Sequence, residues 1–113
     1  MREDKHMINF PQDFLWGTST SGPQTEGRFA GDGKGDNLWD YWYQVEPHRF
    51  RFQEGPGLTS TFYENWEEDI ELLVETGHTA FRTSIQWSRI FPKGRGEVNP
   101  VGVAFYRQVF ERI

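Results

Sequence analysis

Cysteine is absent from the chain, so it carries neither a disulfide framework nor a thiolate metal site, and its composition suits a reducing cytoplasm. Long hydrophobic runs are absent as well. A membrane helix needs about 20 consecutive apolar residues, and no stretch of this chain approaches that. The opening Met1-Arg-Glu-Asp-Lys-His6 is charged and leads into no apolar segment of the kind a secretory signal carries. Positive charge is in deficit: 12 Lys and Arg stand against 17 Asp and Glu, a formal net charge of -5. That balance argues against a nucleic-acid surface, because nothing offsets phosphate repulsion. His6, His48 and His78 lack any ligand spacing, so no metal is expected. No Gly-x-Ser-x-Gly occurs, which leaves the serines after Gly17 without a nucleophile elbow. The expectation is a cytoplasmic protein without metal, cofactor, membrane or nucleic acid.

Aromatic residues, by contrast, make up 17% of the chain, with 10 Phe, 5 Trp and 4 Tyr. Rings fill cores, and they also stack on the apolar C–H faces of sugars. The stretch Phe14 to Gly27 begins apolar and ends polar. Phe14, Leu15 and Trp16 have the composition of a fully covered strand, Gly17 admits close backbone approach, and hydroxyl residues follow until Gly22 and Pro23 break the strand. Gln24 stands just past that strand's carboxyl end, where ligands collect in parallel α/β folds.

Residues 1–9 are polar and without periodicity, and read as a flexible N-terminal segment ahead of one domain portion at 10–113. Arg28 to Asn37 holds three glycines among charges and reads as a loop able to arch over the strand end. Two near-matches inside it fail. Gly27 to Lys34 is one residue too long for a phosphate-binding loop and has Gly35 where Ser or Thr should follow. Asp32 to Asp36 has Lys34 where a calcium loop needs an acceptor. Asn37 can cap a short helix over Leu38 to Trp42, and Val45 to Gly57 reads as loop. Thr61 with Glu64 predicts a capping box for a helix whose stripe is Phe62, Trp66, Ile70 and Leu73, with Gly77 as its left-handed stop. Its many acids read as a solvated face. Ala80 to Trp87 then reads as a second strand, parallel to the first because a helix intervenes. Asn99 and Pro100 open another helix, with Val101, Ala104, Phe105, Val109 and Ile113 on its apolar face.

Four residues stand out chemically. Arg82 lies in an otherwise apolar or small-residue strand, and a buried guanidinium needs a carboxylate or several acceptors. An ion pair inside the fold and a role in a site both satisfy that. Gln24 can serve a turn or a ligand, since one amide donates and accepts at once. Glu26 reads as a structural partner for a backbone amide or an arginine, with a bond to sugar as the alternative. Trp87 is either core or the wall of a pocket.

Taken together, Phe14-Leu-Trp-Gly17, Gln24-Thr-Glu-Gly27, Asp32-Gly-Lys-Gly35 and Trp39-Asp40 resemble the amino terminus of glycoside hydrolase family 1. Phe81 to Pro92 resembles that family's arginine-bearing second strand, and Gly96 to Pro100 the start of its next helix. The run Thr18 to Gly27 is similar to the branch that cleaves 6-phospho-β-glucosides and 6-phospho-β-galactosides. The resemblance implies the amino-terminal part of a (β/α)8 TIM barrel, incomplete here, because a whole barrel takes about 250 residues against 113. It implies a retaining β-glycosidase acting on phosphorylated or plain β-glucosides. Arg82 would orient the nucleophile carboxylate and keep it ionised, Gln24 would bind sugar hydroxyls, and Trp87 would line the sugar pocket. The family's Asn-Glu-Pro and Glu-Asn-Gly motifs, which carry its two catalytic glutamates, do not occur in the sequence. The chain alone is therefore expected to be inactive. A sugar-binding module and a non-binding scaffold piece that self-associates through open strand edges are the other readings.

Overall fold

The computed structural model describes residues 7–113, and the expectation of a flexible segment at 1–9 falls mostly on residues outside that range. Two short strands pair in parallel: β1 (Gly17–Ser19) lies beside β2 (Ala80–Arg82), with Gly17 opposite Ala80, Thr18 opposite Phe81 and Ser19 opposite Arg82. Gly17 is required there, since a Cβ would stand 2.7 Å from the Ala80 carbonyl oxygen. Between the strands run α1 (Gly22–Thr25), α2 (Leu38–Val45), two 3-10 turns (Pro47–Arg49 and Arg51–Gln53) and α3 (Phe62–Glu75). After β2 come α4 (Trp87–Ile90) and α5 (Pro100–Arg112).

Helix boundaries follow local chemistry where side chains supply it. Asn37 caps α2 by accepting from the Asp40 N–H at 2.9 Å, and Asp40 accepts from the Asn37 N–H at 2.8 Å, a reciprocal box. Asn99 accepts from Val101 N–H at the start of α5, with Pro100 in the first turn. At the end of α3, Gly77 takes φ 79°, and the N–H groups of Gly77 and His78 close back on the carbonyls of Val74 and Leu73. The capping box expected at Thr61 does not form. Thr61 adopts φ 62° and its hydroxyl caps nothing; it bonds to Asn65 at 2.7 Å instead.

α3 and α5 cover one face of the strand pair. Their buried residues are Phe62 and Ile70 on one helix and Phe105, Tyr106 and Val109 on the other, with Phe81 packed against them. Each such side chain contributes about 1.5–3 kcal/mol of transfer free energy. The α5 face differs from the expected one, because Val101, Ala104 and Ile113 are exposed while Tyr106 and Gly102 turn inward. Gly102 lets α4 approach: a Cβ there would fall 2.2 Å from the Arg89 carbonyl oxygen.

Two strand assignments are corrected. Phe14, Leu15 and Trp16 precede β1 and are exposed, at 41%, 70% and 47%. The rings of Phe14 and Trp16 pack on Phe10 with centroids 4.8 and 4.6 Å away, and all three remain exposed. Composition signalled a covered strand, but cover depends on a second layer, which composition does not encode. The second strand stops at Arg82 rather than Trp87, because Trp87 to Ile90 turns into α4. The whole is extended, with a radius of gyration of 18.5 Å, where a self-contained domain near 100 residues has about 13 Å.

Candidate functional site

The segments leaving β1 and β2 run side by side from the same end of the sheet. The Thr20 N–H donates to the Arg82 carbonyl at 2.9 Å, and the Gly22 N–H donates to the Ser84 hydroxyl at 3.0 Å. Gln24 therefore stands past the carboxyl end of β1 and Arg82 at the carboxyl end of β2, on parallel neighbours. Successive strand residues point to opposite faces. Phe81 faces α3, its ring 6.2 Å from that of Phe62, so Arg82 points to the opposite face of the strand pair.

Arg82 is exposed and, among the described residues, has no ion-pair partner. The acceptor expected for a buried guanidinium is thus not on these elements. Gln24 is exposed on α1, its amide oxygen accepting from the Ser21 hydroxyl at 2.8 Å. It lines a cavity of about 220 Å3 with Trp39, Phe50, Glu54 and Thr59. Trp87 is not core: it is 63% exposed, its indole N–H donates to the Gly94 carbonyl at 2.8 Å, and its ring lies 4.8 Å from Phe91. It lines a second cavity of about 340 Å3 with Asp36, Asn37, Ser84 and Gln86; Pro23 borders both.

Beneath these residues lies a buried polar lattice. Arg89, fully buried, donates from Nε to Glu26 at 3.3 Å, from Nη1 to Asp32 at 3.1 Å and from Nη2 to the Gly27 carbonyl at 2.9 Å. Glu26 also accepts from the Gln86 amide and the Tyr106 hydroxyl. It is a structural partner of an arginine, as its setting suggested. Tyr106 accepts in turn from the Gln86 backbone N–H at 2.8 Å, and the Gln86 amide oxygen accepts from Asn37 at 2.9 Å. Asn99 reaches across to the Asp32 and Arg89 carbonyls at 2.8 and 3.0 Å.

The electrostatics follow from this packing. Burial alone would raise the Asp32 pKa, but the N–H groups of Phe29 and Lys34 and the Arg89 guanidinium more than offset it and hold the carboxyl below its ordinary value. Burial pushes Tyr106 up, and the adjacent Glu26 charge pushes it further. Lys34 is lowered by burial despite its pairing with Asp40. The glycine-rich loop that only imitated phosphate and calcium motifs is thus wound on Asp32, with Lys34 committed to Asp40. Among the described residues, no group of three or more His, Cys, Asp or Glu is placed to hold a metal.

Sequence reasoning chose Arg82 as the buried arginine and passed over Arg89 and Tyr106. The one available signal was that Arg89 follows a strand end in a Trp-Ser-Arg turn while Glu26 and Asp32 lie unpaired in glycine-rich loops. Joining them required the β1–β2 register.

Comparison with known proteins gives a consistent answer. Relatives include the 6-phospho-beta-glucosidase GmuD of Bacillus subtilis (strain 168), 52% identical over 104 residues, which cover 92% of this chain and 22% of that protein. Among solved structures, aphid myrosinase superposes with a TM-score of 0.87 at 32% identity, over 93% of this chain and 23% of the other. The family 1 β-glucosidase of Thermotoga maritima superposes with 0.84 at 36% identity, over 91% and 23%. The chain thus spans under a quarter of the length of these relatives and matches the amino-terminal part of their TIM barrels. The pattern of glycosyl hydrolase family 1 matches residues 6–113, and the chain belongs to that family.

Proposed function

We propose that this chain is the amino-terminal part of a retaining β-glycosidase that hydrolyses 6-phospho-β-glucosides. The observation that carries the reading is the placement of Gln24 just past the carboxyl end of β1 and of Arg82 at the carboxyl end of its parallel neighbour β2, the position at which barrel enzymes build their sites. The 52% identity to a 6-phospho-beta-glucosidase supports the phosphorylated substrate. In a retaining glycosidase one carboxylate attacks the anomeric carbon while a second carboxyl group, about 5–5.5 Å away, protonates the leaving oxygen and later deprotonates water. Arg82, exposed on the face opposite Phe81 and without an ion-pair partner among the described residues, would hold and orient the attacking carboxylate and keep it ionised. Gln24 would bind glycone hydroxyls through its amide. Trp87, its indole already tied to Gly94, would present a fixed ring to a sugar face.

Neither Asn-Glu-Pro nor Glu-Asn-Gly occurs in residues 1–113. We therefore propose that these residues by themselves do not turn over substrate, and that the outer edges of β1 and β2 would favour self-association. The cysteine-free composition fits the cytoplasm as the compartment. The test is to assay the full-length protein and residues 1–113 side by side on 4-nitrophenyl 6-phospho-β-glucoside, its galactoside counterpart and the unphosphorylated glucoside. Preference of the full-length protein for the first, and no turnover by the short chain, is the expected result. Preference for the plain glucoside would reassign the substrate to that of the β-glucosidase relatives, and turnover by residues 1–113 would overturn their proposed inactivity.

A further inference from the structure

We infer that Glu26, together with Tyr106 and Gln86, is a positioning device that fixes Gln24 and Arg82 relative to each other; the inference rests on the glycosidase reading above. Glu26 directly follows α1, two residues beyond Gln24. Gln86 lies in the extended segment that leaves β2, four residues beyond Arg82. The two segments are joined by the Thr20 bond to the Arg82 carbonyl, the Gly22 bond to the Ser84 hydroxyl, and the Gln86 amide on the Glu26 carboxylate. Tyr106 completes the joint from the helix layer. Its hydroxyl donates to the Glu26 oxygen that Gln86 and Arg89 leave free, and accepts from the Gln86 backbone N–H at 2.8 Å.

This joint is specific in shape as well as in bonding. A Cβ on Gly22 would stand 2.3 Å from the Gln86 side chain, so only glycine lets Gln86 pass between α1 and the core to reach Glu26. Glu26 and Gln86 are both nearly inaccessible, at 2% and 4% exposure, and neither can change partner by swinging into solvent. Gln24 and Arg82 themselves are exposed and make few side-chain contacts. Their separation is therefore set by backbone segments that the buried joint holds, and a loosened joint would let the two side chains drift apart while the rest of the core stays packed.

The test uses the full-length protein and three variants. Tyr106→Phe removes one hydroxyl and leaves both the Gln86 N–H and a Glu26 oxygen unpaired. Gln86→Met cuts the side-chain link while sparing the backbone bond to Tyr106, and serves if the first variant folds poorly. Val109→Ala, in the core but outside the joint, is the control for lost packing. Misplacement on the ångström scale costs up to about a hundredfold in rate. Tyr106→Phe and Gln86→Met should lower kcat by about tenfold or more with little change in KM. The acid limb of kcat/KM should move to higher pH, because a displaced Arg82 no longer holds the nucleophile ionised. Val109→Ala should lower the melting temperature with kcat and the pH profile unchanged. Unaltered kinetics and pH profile in the two joint variants, alongside normal turnover by the parent protein, would overturn this inference and leave the glycosidase reading intact. No turnover of any β-glucoside by the parent protein would overturn both.

Discussion

The guanidinium carbon of Arg89 sits 4.2 Å from the centre of the Tyr63 ring, while its nitrogens are taken up by Glu26, Asp32 and the Gly27 carbonyl. One cation thereby joins the loop after β1, the first turn of α3 and the turn after β2. Both buried carboxylates of the lattice beneath the candidate site, Glu26 and Asp32, pair with that charge.

Replacing Arg89 by Met should strand two buried carboxylates. Removing one partner of such a buried pair costs about 3–5 kcal/mol, and urea unfolding of the full-length protein will measure it. Arg89→Lys should recover only part of the loss, since an ammonium cannot reproduce the three-way fork or lie across the ring in the same way.

Acid should weaken the same region. The folded pKa of Asp32 is depressed, so its contribution is fully present above its unfolded value of about 4 and is lost as pH falls through the folded value. Stability measured from pH 6 downward should decline below about pH 4, and Asp32→Asn should flatten that decline while lowering stability at neutral pH.

Alkali should act through Tyr106. Burial and the Glu26 charge raise its folded pKa above the ordinary tyrosine value of about 10. The folded state thus keeps a proton the unfolded state releases, and stability is lost as pH rises beyond about 10. Tyrosinate absorbance at 295 nm should show Tyr106 ionising only with unfolding, and Tyr106→Phe should remove its share of the alkaline slope.

Gly102→Ala should be costly although alanine favours helices. Its Cβ would meet the Arg89 carbonyl oxygen at 2.2 Å, a backbone contact that cannot rotate away. Overpacking of this kind costs about 1–3 kcal/mol, and thermal unfolding should register it, whereas Ala104→Ser on the exposed side of α5 should leave the melting temperature near that of the parent.

Arg82→Met tests the proposed chemistry directly. If Arg82 holds the nucleophile, kcat should fall by about a hundredfold or more and the acid limb of the rate profile should move to higher pH. A variant with parental kinetics would remove Arg82 from the site.

The parts of this fold legible in the sequence are those in which a residue and its partner are close along the chain. Asn37 at the start of α2, Asn99 with Pro100, and Gly77 after α3 each act within a few residues, and each is readable, although the reciprocal bond from Asn37 to Asp40 came only with the structure. Thr61 and Glu64 offered the same kind of signal and failed, because the chain enters α3 through a left-handed turn that aims the hydroxyl at Asn65. The parallel pairing of β1 and β2 followed from their order around a helix. What stayed hidden was the pairing of Arg89 with Glu26 and Asp32, 63 and 57 residues away. Arg82 and Arg89 look alike as single letters. Strand alternation and one helical turn after β2 decide which of them is sealed and which is left facing outward.

The hydroxyl of Tyr106 reaches Glu26 across 80 positions, and the Gln86 amide does so across 60. A nascent polypeptide emerging from the ribosome therefore carries Glu26 and Asp32 as open, hydrated acids through most of this region's synthesis. Their counter-charge and their last donor arrive late. High contact order of this kind slows folding and leaves the Glu26 carboxylate dependent on solvent until α5 has been made.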